Sequence, residues 1–241
     1  MRADLYLLEQ GAFETRAQAQ AAIAAGRVRI GGVPIAKPSQ KVQPGAAIEA
    51  EAAHPWVGRA ALKLVAGLDA FGIDPVGRTC LDVGSSTGGF TEVLLARGAT
   101  RVFAVDVGRD QLHSKLRNDP RVTVLEGTDA RQLTTAEITG PPDLIVCDAS
   151  FIGLAKVIER PLSLAAERAE TVLLFKPQFE VGRAHIGKGG VVKDDLAVQA
   201  SLERFRIWMG DRTDFTVTGI ADSPITGGDG NREFLIAARK G

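Results

Sequence analysis

The stretch Leu81-Asp82-Val83-Gly84-Ser85-Ser86-Thr87-Gly88-Gly89-Phe90 decides the fold. It reads as a buried strand entering a glycine-rich turn and then a helix. That order of elements is how an open α/β sheet holds a nucleotide-like ligand at the carboxyl ends of its strands. The turn departs from the dinucleotide pattern GxGxxG. Ser86 stands where a second glycine lets the backbone approach a pyrophosphate. The turn therefore suits a nucleoside ligand that carries no phosphates.

Strands are expected at 79–83, 101–105, 122–125, 144–147 and 171–175, with helices between them. A helix near 194–209 follows, then strands near 215–222 and 233–238 with no helix between them. Alternating units of this spacing predict a doubly wound, mostly parallel sheet covered on both faces. Asp106 closes Val102-Phe103-Ala104-Val105-Asp106, where a carboxylate can accept both hydroxyls of an adenosine ribose. Asp129, in Gly127-Thr128-Asp129-Ala130, can accept from an adenine amino group. S-adenosyl-L-methionine (SAM) is a nucleoside of this kind. Gly84, Ser85, Ser86, Gly88, Gly89, Phe90, Asp106 and Asp129 are its candidate contacts.

Composition is that of a globular chain: 241 residues, 45% apolar and 24% charged, with a formal net charge of zero. No apolar run approaches the roughly 18 residues that span a bilayer. Met1-Arg2-Ala3-Asp4 lacks the apolar core of a signal peptide, so a cytoplasmic location and no membrane partner are expected. Cys80 and Cys147 fall inside expected strands and read as small buried hydrophobes. Three scattered histidines and two cysteines offer no metal-ligand spacing, and no metal is expected.

The charge is unevenly spread. Between Thr15 and Gly45 lie Arg16, Arg27, Arg29, Lys37 and Lys41 and no acidic residue, +5 in 31 residues. Residues 1–52 read as a small domain. A short helix over Asp4 to Gln10 places Leu5 and Leu8 on one side. A second helix starts at Thr15, with Gln18 completing a capping box and Ala17, Ala21, Ile23 and Ala24 as a small-residue face. Gly26 ends it. Val28-Arg29-Ile30, Gly31-Gly32 and Val33-Pro34-Ile35 form a hairpin with a two-residue glycine turn. Glu49 to Pro55 reads as the connector, giving domains over 1–52 and 58–241 with a linker over 53–57.

Four charged residues stand where such a sheet presents its active face. Lys63 lies on the helix before the first large strand. Asp148 ends the fourth strand, in Val146-Cys147-Asp148-Ala149-Ser150-Phe151. Lys176 ends the fifth, in Phe175-Lys176-Pro177-Gln178-Phe179. Glu233 opens the last, in Asn231-Arg232-Glu233-Phe234. A lysine serves as a general base when burial and a second cation lower its pKa. A base so placed assists proton removal from a weakly acidic hydroxyl.

Residues 1–52 resemble the S4 RNA-binding domain, through Thr15-Arg16, Gly26-Arg27-Val28-Arg29-Ile30 and Gly31-Gly32. The four charged residues resemble the Lys-Asp-Lys-Glu tetrad of FtsJ-type ribose 2′-O-methyltransferases. Together the two halves resemble the TlyA family, also called haemolysin A, over nearly the whole chain. The resemblance implies a SAM-dependent methyltransferase fold with an antiparallel last strand, preceded by a small α+β S4-like domain. It implies methyl transfer to a cytidine 2′-hydroxyl of ribosomal RNA, with Lys63, Asp148, Lys176 and Glu233 as the catalytic set. RNA contacts would come from Arg16, Arg27, Arg29, Lys37, Lys41, Arg59, Lys188 and Lys193, the last two in the loop Gly187 to Asp194. A chain ending directly after its last strand resembles the shorter members, which implies the 50S rather than the 30S subunit. The other readings are an RNA base N-methyltransferase, from the faint likeness of Asp148 to Phe151 to an amine-gripping motif, and a non-catalytic ribosome-associated RNA-binding protein.

Overall fold

The computed structural model describes all 241 residues, which divide into two compact units, Met1–Arg59 and Ala60–Gly241.

In the first unit, helices α1 (Ala3–Glu9) and α2 (Arg16–Ala24) pack on a three-stranded antiparallel sheet. Its order is β2-β1-β3, with β1 at Val28–Ile30, β2 at Val33–Pro34 and β3 at Ile48–Ala50. The capping box forms: the Thr15 side chain accepts from the Gln18 N–H, and the Gln18 side chain accepts from the Thr15 N–H. Gly31 and Gly32 both take positive φ, 60° and 75°, the backbone that a tight two-residue hairpin turn demands.

Three details differ from expectation. Helix α1 turns inward not Leu5, which is exposed, but Ala3, Asp4, Tyr6 and Leu7. The cause is Asp4, whose fully buried carboxylate collects Arg2, Arg16 and Gln20 and so draws its own side of the helix in. Helix α2 likewise buries Ala19, Ala22 and Ile23, while Ala17 and Ala24 stay exposed. Glu49 belongs to β3, where it pairs with Arg29 across the sheet, so the connector does not begin there.

The second unit is a seven-stranded sheet of order β6-β5-β4-β7-β8-β10-β9. Its strands are β4 (Thr79–Val83), β5 (Arg101–Asp106), β6 (Val122–Glu126), β7 (Leu144–Cys147), β8 (Ala169–Phe175), β9 (Phe215–Asp222) and β10 (Phe234–Lys240). The five strands β4 to β8 run parallel, and β10 lies antiparallel between β8 and β9. That is the doubly wound sheet with an antiparallel last strand that the sequence implies. Helices α3 (Ala61–Phe71) and α4 (Gly89–Ala96) pack together on one face. Helices α6 (Leu154–Ser163) and α7 (Asp195–Arg212) cover the other, and the one-turn α5 (Ser114–Arg117) follows β5.

Alternate residues of each central strand serve the two layers, as the pleat requires. Leu81, Phe103, Ile145, Leu173 and Ile236 enter the core under α6 and α7. Their neighbours Cys80, Val102, Leu144 and Val172 face the other way and are equally buried. Both cysteines are free and fully buried, and burial raises both thiols, Cys147 to about 12. No helix is long and apolar enough to cross a membrane.

Candidate active site

Two adjoining cavities open at the carboxyl ends of the parallel strands. The first, about 650 Å³, runs from the glycine turn past Asp106 and Asp129 to Ile152 and Val157. The second, about 400 Å³, contains Lys63, Asp148, Lys176 and Glu233. Gly84, Ser86, Asp148, Ser150 and Phe151 line both, so these five residues mark the junction.

The turn after β4 is shaped by backbone that a side chain would obstruct. Gly84 has φ +82°, and a Cβ there would lie 2.9 Å from the backbone N and Cα of Ala149. Ser86 occupies the left-handed region too, at φ 46°, although it is not glycine. Its N–H donates to Asp106 Oδ2 (2.8 Å) and its hydroxyl to Gln111 Oε1 (3.2 Å). Asp106 also accepts from the Gly108 N–H at 2.7 Å, which ties the end of β5 to the turn. Asp129 lines the same cavity, caps the helical turn Ala130–Gln132 and holds Arg131 in a two-pronged pair. The Arg131 contact keeps its carboxyl below the usual range.

Sequence reasoning missed three residues here. Asp82 is fully buried on β4 and accepts from Thr91 Oγ1 at 2.7 Å, with its other oxygen unpartnered. Burial first, with the charges of Asp148 and Asp106 adding to it, pushes its carboxyl up to about 7. Glu126 ends β6 and accepts from the N–H groups of Asp110, Gln111 and Leu112, shaping the loop that walls the first cavity. Arg117 beside it, with those N–H groups, holds its carboxyl at about 2. Phe151 stands at the junction, 93% exposed and with φ 66°, its ring 5.6 Å from that of Phe179. Only the strand-end place of Glu126 was readable in advance; nothing in the local sequence announces the other two.

In the second cavity the four charged residues close into two ion pairs. Lys63 Nζ lies 2.5 Å from Glu233 Oε2, and both side chains are buried. Lys176 Nζ lies 2.6 Å from Asp148 Oδ1, 2.7 Å from Ser150 Oγ and 3.2 Å from the Asp148 carbonyl. Asp148, Lys176 and Glu233 each stand one residue outside β7, β8 and β10, where a strand hands its side chain to the cleft. All four expected residues thus line one cavity.

The basic residues stand apart in character. Arg16, Arg27, Arg29, Lys37, Lys41, Arg59, Lys188 and Lys193 are all exposed. Arg16 is held by Asp4 at 2.8 Å, while Arg27 and Arg29 face Glu51 and Glu49 at 4.0 and 3.9 Å. The +5 segment is therefore partly balanced in space by acids that lie outside it in sequence. Lys188 and Lys193 flank a loop pinned by buried Asn231, which accepts from the Val192 N–H and donates to the Gly190 carbonyl.

The FtsJ-like methyltransferase profile matches residues 56–240, and the S4 domain profile matches residues 1–48. Over 241 aligned residues the chain is 46% identical to the 16S/23S rRNA (cytidine-2′-O)-methyltransferase TlyA of Mycobacterium tuberculosis, covering 99% of this chain and 89% of that protein. The chain belongs to the TlyA family of FtsJ-like methyltransferases. The 23S rRNA (cytidine-2′-O)-methyltransferase TlyA of Campylobacter jejuni is 40% identical over 181 residues, 75% of this chain and 69% of its own. A solved structure of a Streptococcus thermophilus protein named only provisionally as a hemolysin superposes with a TM-score of 0.79 at 37% identity, over 100% of this chain and 88% of that one.

The cofactor of this TlyA-family chain is SAM, and the first cavity fits it. Its volume is within the range of small-molecule sites. SAM carries a sulfonium and an ammonium, and the acids lining this cavity are Asp106, Asp129 and Asp148. Ser85, whose buried hydroxyl has no hydrogen-bond partner, lines the second cavity rather than this one. Val107, Ile152 and Val157 supply apolar wall for a purine.

Proposed function

We propose that this chain transfers the methyl group of SAM to a cytidine ribose 2′-hydroxyl in ribosomal RNA, in the cytoplasm, with the large subunit as its principal substrate. The observation that carries the reading is the junction of the two cavities, where Lys176 and its partners stand beside the glycine turn. Ribosomal RNA of the large subunit is the target common to both named relatives.

Bound in the first cavity, SAM supplies an electrophilic methyl on a positively charged sulfur. Of the expected contacts, Gly84, Ser86, Asp106 and Asp129 line this cavity and would hold the cofactor, with the two carboxylates available to its ribose and adenine. Ser85, Gly89 and Phe90 line the second cavity instead, and Gly88 packs against Leu112 and Leu116. The chain's own residues act on the acceptor. Lys176 is the base for the 2′-hydroxyl, Asp148 orients its amine, and Glu233 fixes Lys63 beside the ribose. Proton removal of this kind contributes roughly 10²–10⁴-fold, so holding the hydroxyl in line with the methyl supplies the larger share. The exposed Phe151 ring offers a stacking face for an unstacked base. The basic residues of the S4 domain, with Arg59, Lys188 and Lys193, contact phosphates, which position RNA without reading its sequence.

The test is Lys176→Met. Methyl transfer should be abolished while calorimetry finds SAM affinity within about twofold of the parent. Retained turnover would remove Lys176 as the base.

A further inference from the structure

The three partners of Lys176 Nζ are Asp148 Oδ1, the Asp148 carbonyl and Ser150 Oγ. An ammonium has three N–H donors and no acceptor, so this trio takes up every proton of the charged form. A neutral amine has two N–H donors and one lone pair. An ionised carboxylate and a carbonyl can only accept, so they retain the two N–H groups. Ser150 is the one partner with a hydrogen to give, and the lone pair of the neutral amine faces it. The basic electron pair of Lys176 is thus turned toward a serine hydroxyl. Ser150 is itself exposed and lines both cavities, at the place where acceptor oxygen and methyl must meet.

We infer that Ser150 relays the acceptor proton to Lys176. The inference rests on the reading of this site as a ribose 2′-O-methyltransferase with Lys176 as the base. In the step, the ribose oxygen forms its bond to the methyl carbon and loses its proton to Ser150 Oγ. Ser150 gives its own proton to Lys176 Nζ, and the methyl–sulfur bond breaks with its electron pair left on sulfur. Ser150 ends as a neutral hydroxyl, and the positive charge that sulfur loses reappears on Lys176. The finished ammonium then has the three acceptors seen in the structure.

The test compares Ser150→Ala, Ser150→Thr and Lys176→Met on unmethylated 50S subunits, with a second readout on cofactor-free protein. Ser150→Ala should lower kcat about 10- to 100-fold, part of what base assistance provides, with KM and SAM affinity within about twofold. Ser150→Thr keeps the hydroxyl and should recover most of that loss. In protein carrying ¹⁵N-lysine, the Lys176 ammonium should give a signal protected from solvent exchange, lost in Ser150→Ala and retained in Ser150→Thr. An inactive Lys176→Met beside a Ser150→Ala variant with parental kcat would overturn the relay alone. A kcat loss in Ser150→Ala matched by an equal loss of SAM affinity would also overturn it, in favour of a structural role. Full turnover by Lys176→Met would instead overturn the base assignment on which the relay rests.

Discussion

Lys63 Nζ and Glu233 Oε2 lie 2.5 Å apart, although 170 positions separate the two residues in the chain. Their side chains are only 7% and 3% exposed, so the pair joins helix α3 to the start of β10 under nearly complete burial. Removing one partner of a buried pair leaves a charge without compensation, which costs about 3–5 kcal/mol, whereas replacing both with apolar groups is often neutral. Lys63→Met should therefore lower the melting temperature markedly, and the double variant Lys63→Met/Glu233→Leu should recover most of it. Methyl transfer should remain lost in both. Calorimetric unfolding beside a transfer assay separates the two effects; a double variant with restored activity would make the pair purely structural.

Gly84→Ala tests the cofactor seat. The added methyl meets the Ala149 backbone at 2.9 Å in a backbone conformation that costs a side chain about 1–3 kcal/mol. SAM binding by calorimetry should fall at least about 100-fold, with a smaller loss of stability. Unchanged SAM affinity would place the cofactor elsewhere.

Asp82 should leave a mark on the pH dependence of stability. Its folded carboxyl is raised to about 7, against about 3.9 for an unfolded aspartate. Between those values the native state holds a proton that the unfolded chain does not, so stability declines as pH rises from about 4 to 7. Asp82→Asn removes this decline. Its melting temperature relative to the parent should be several degrees higher at pH 8 than at pH 4, and an unchanged difference across that range would contradict the assignment.

Phe151 combines exposure with a strained backbone at the cavity junction. Phe151→Ala should raise KM for 50S subunits or lower kcat about 10-fold, in line with the roughly 1–3 kcal/mol of a stacked base. SAM affinity should stay within about twofold, since the ring's proposed partner is the acceptor.

Arg16, Arg27 and Arg29 should act through charge. Replacing all three with Ala should weaken RNA binding and flatten its dependence on salt by up to about three in the log–log slope. An unchanged slope would remove these residues from the phosphate contacts.

The parts of this molecule legible in its sequence are those dictated by local pattern. Buried parallel strands read as apolar runs, so β4, β5, β7 and β8 were found nearly to the residue, and strand ends then located Asp106, Asp148 and Lys176. Lys63 and Glu233 were placed by their positions beside the first and last strands, but their pairing with each other depends on tertiary contact across 170 positions. What stayed hidden depends on tertiary partners. Leu5 and Leu8 suggested the wrong face of α1, since the buried Asp4 is tolerated only through Arg2, Arg16 and Gln20. Three-residue β3 is too short to show a period. Ser150 looks like an ordinary exposed serine until Lys176 is brought 2.7 Å from its oxygen.

The central claim is methyl transfer to a ribose of ribosomal RNA, and the direct measurement is transfer from labelled SAM to unmethylated 50S and 30S subunits, followed by nucleoside mass spectrometry. The expected product is 2′-O-methylcytidine in 50S subunits, absent with Lys176→Met. Label on a nucleobase, or no label in either subunit from protein that demonstrably binds SAM, would contradict it.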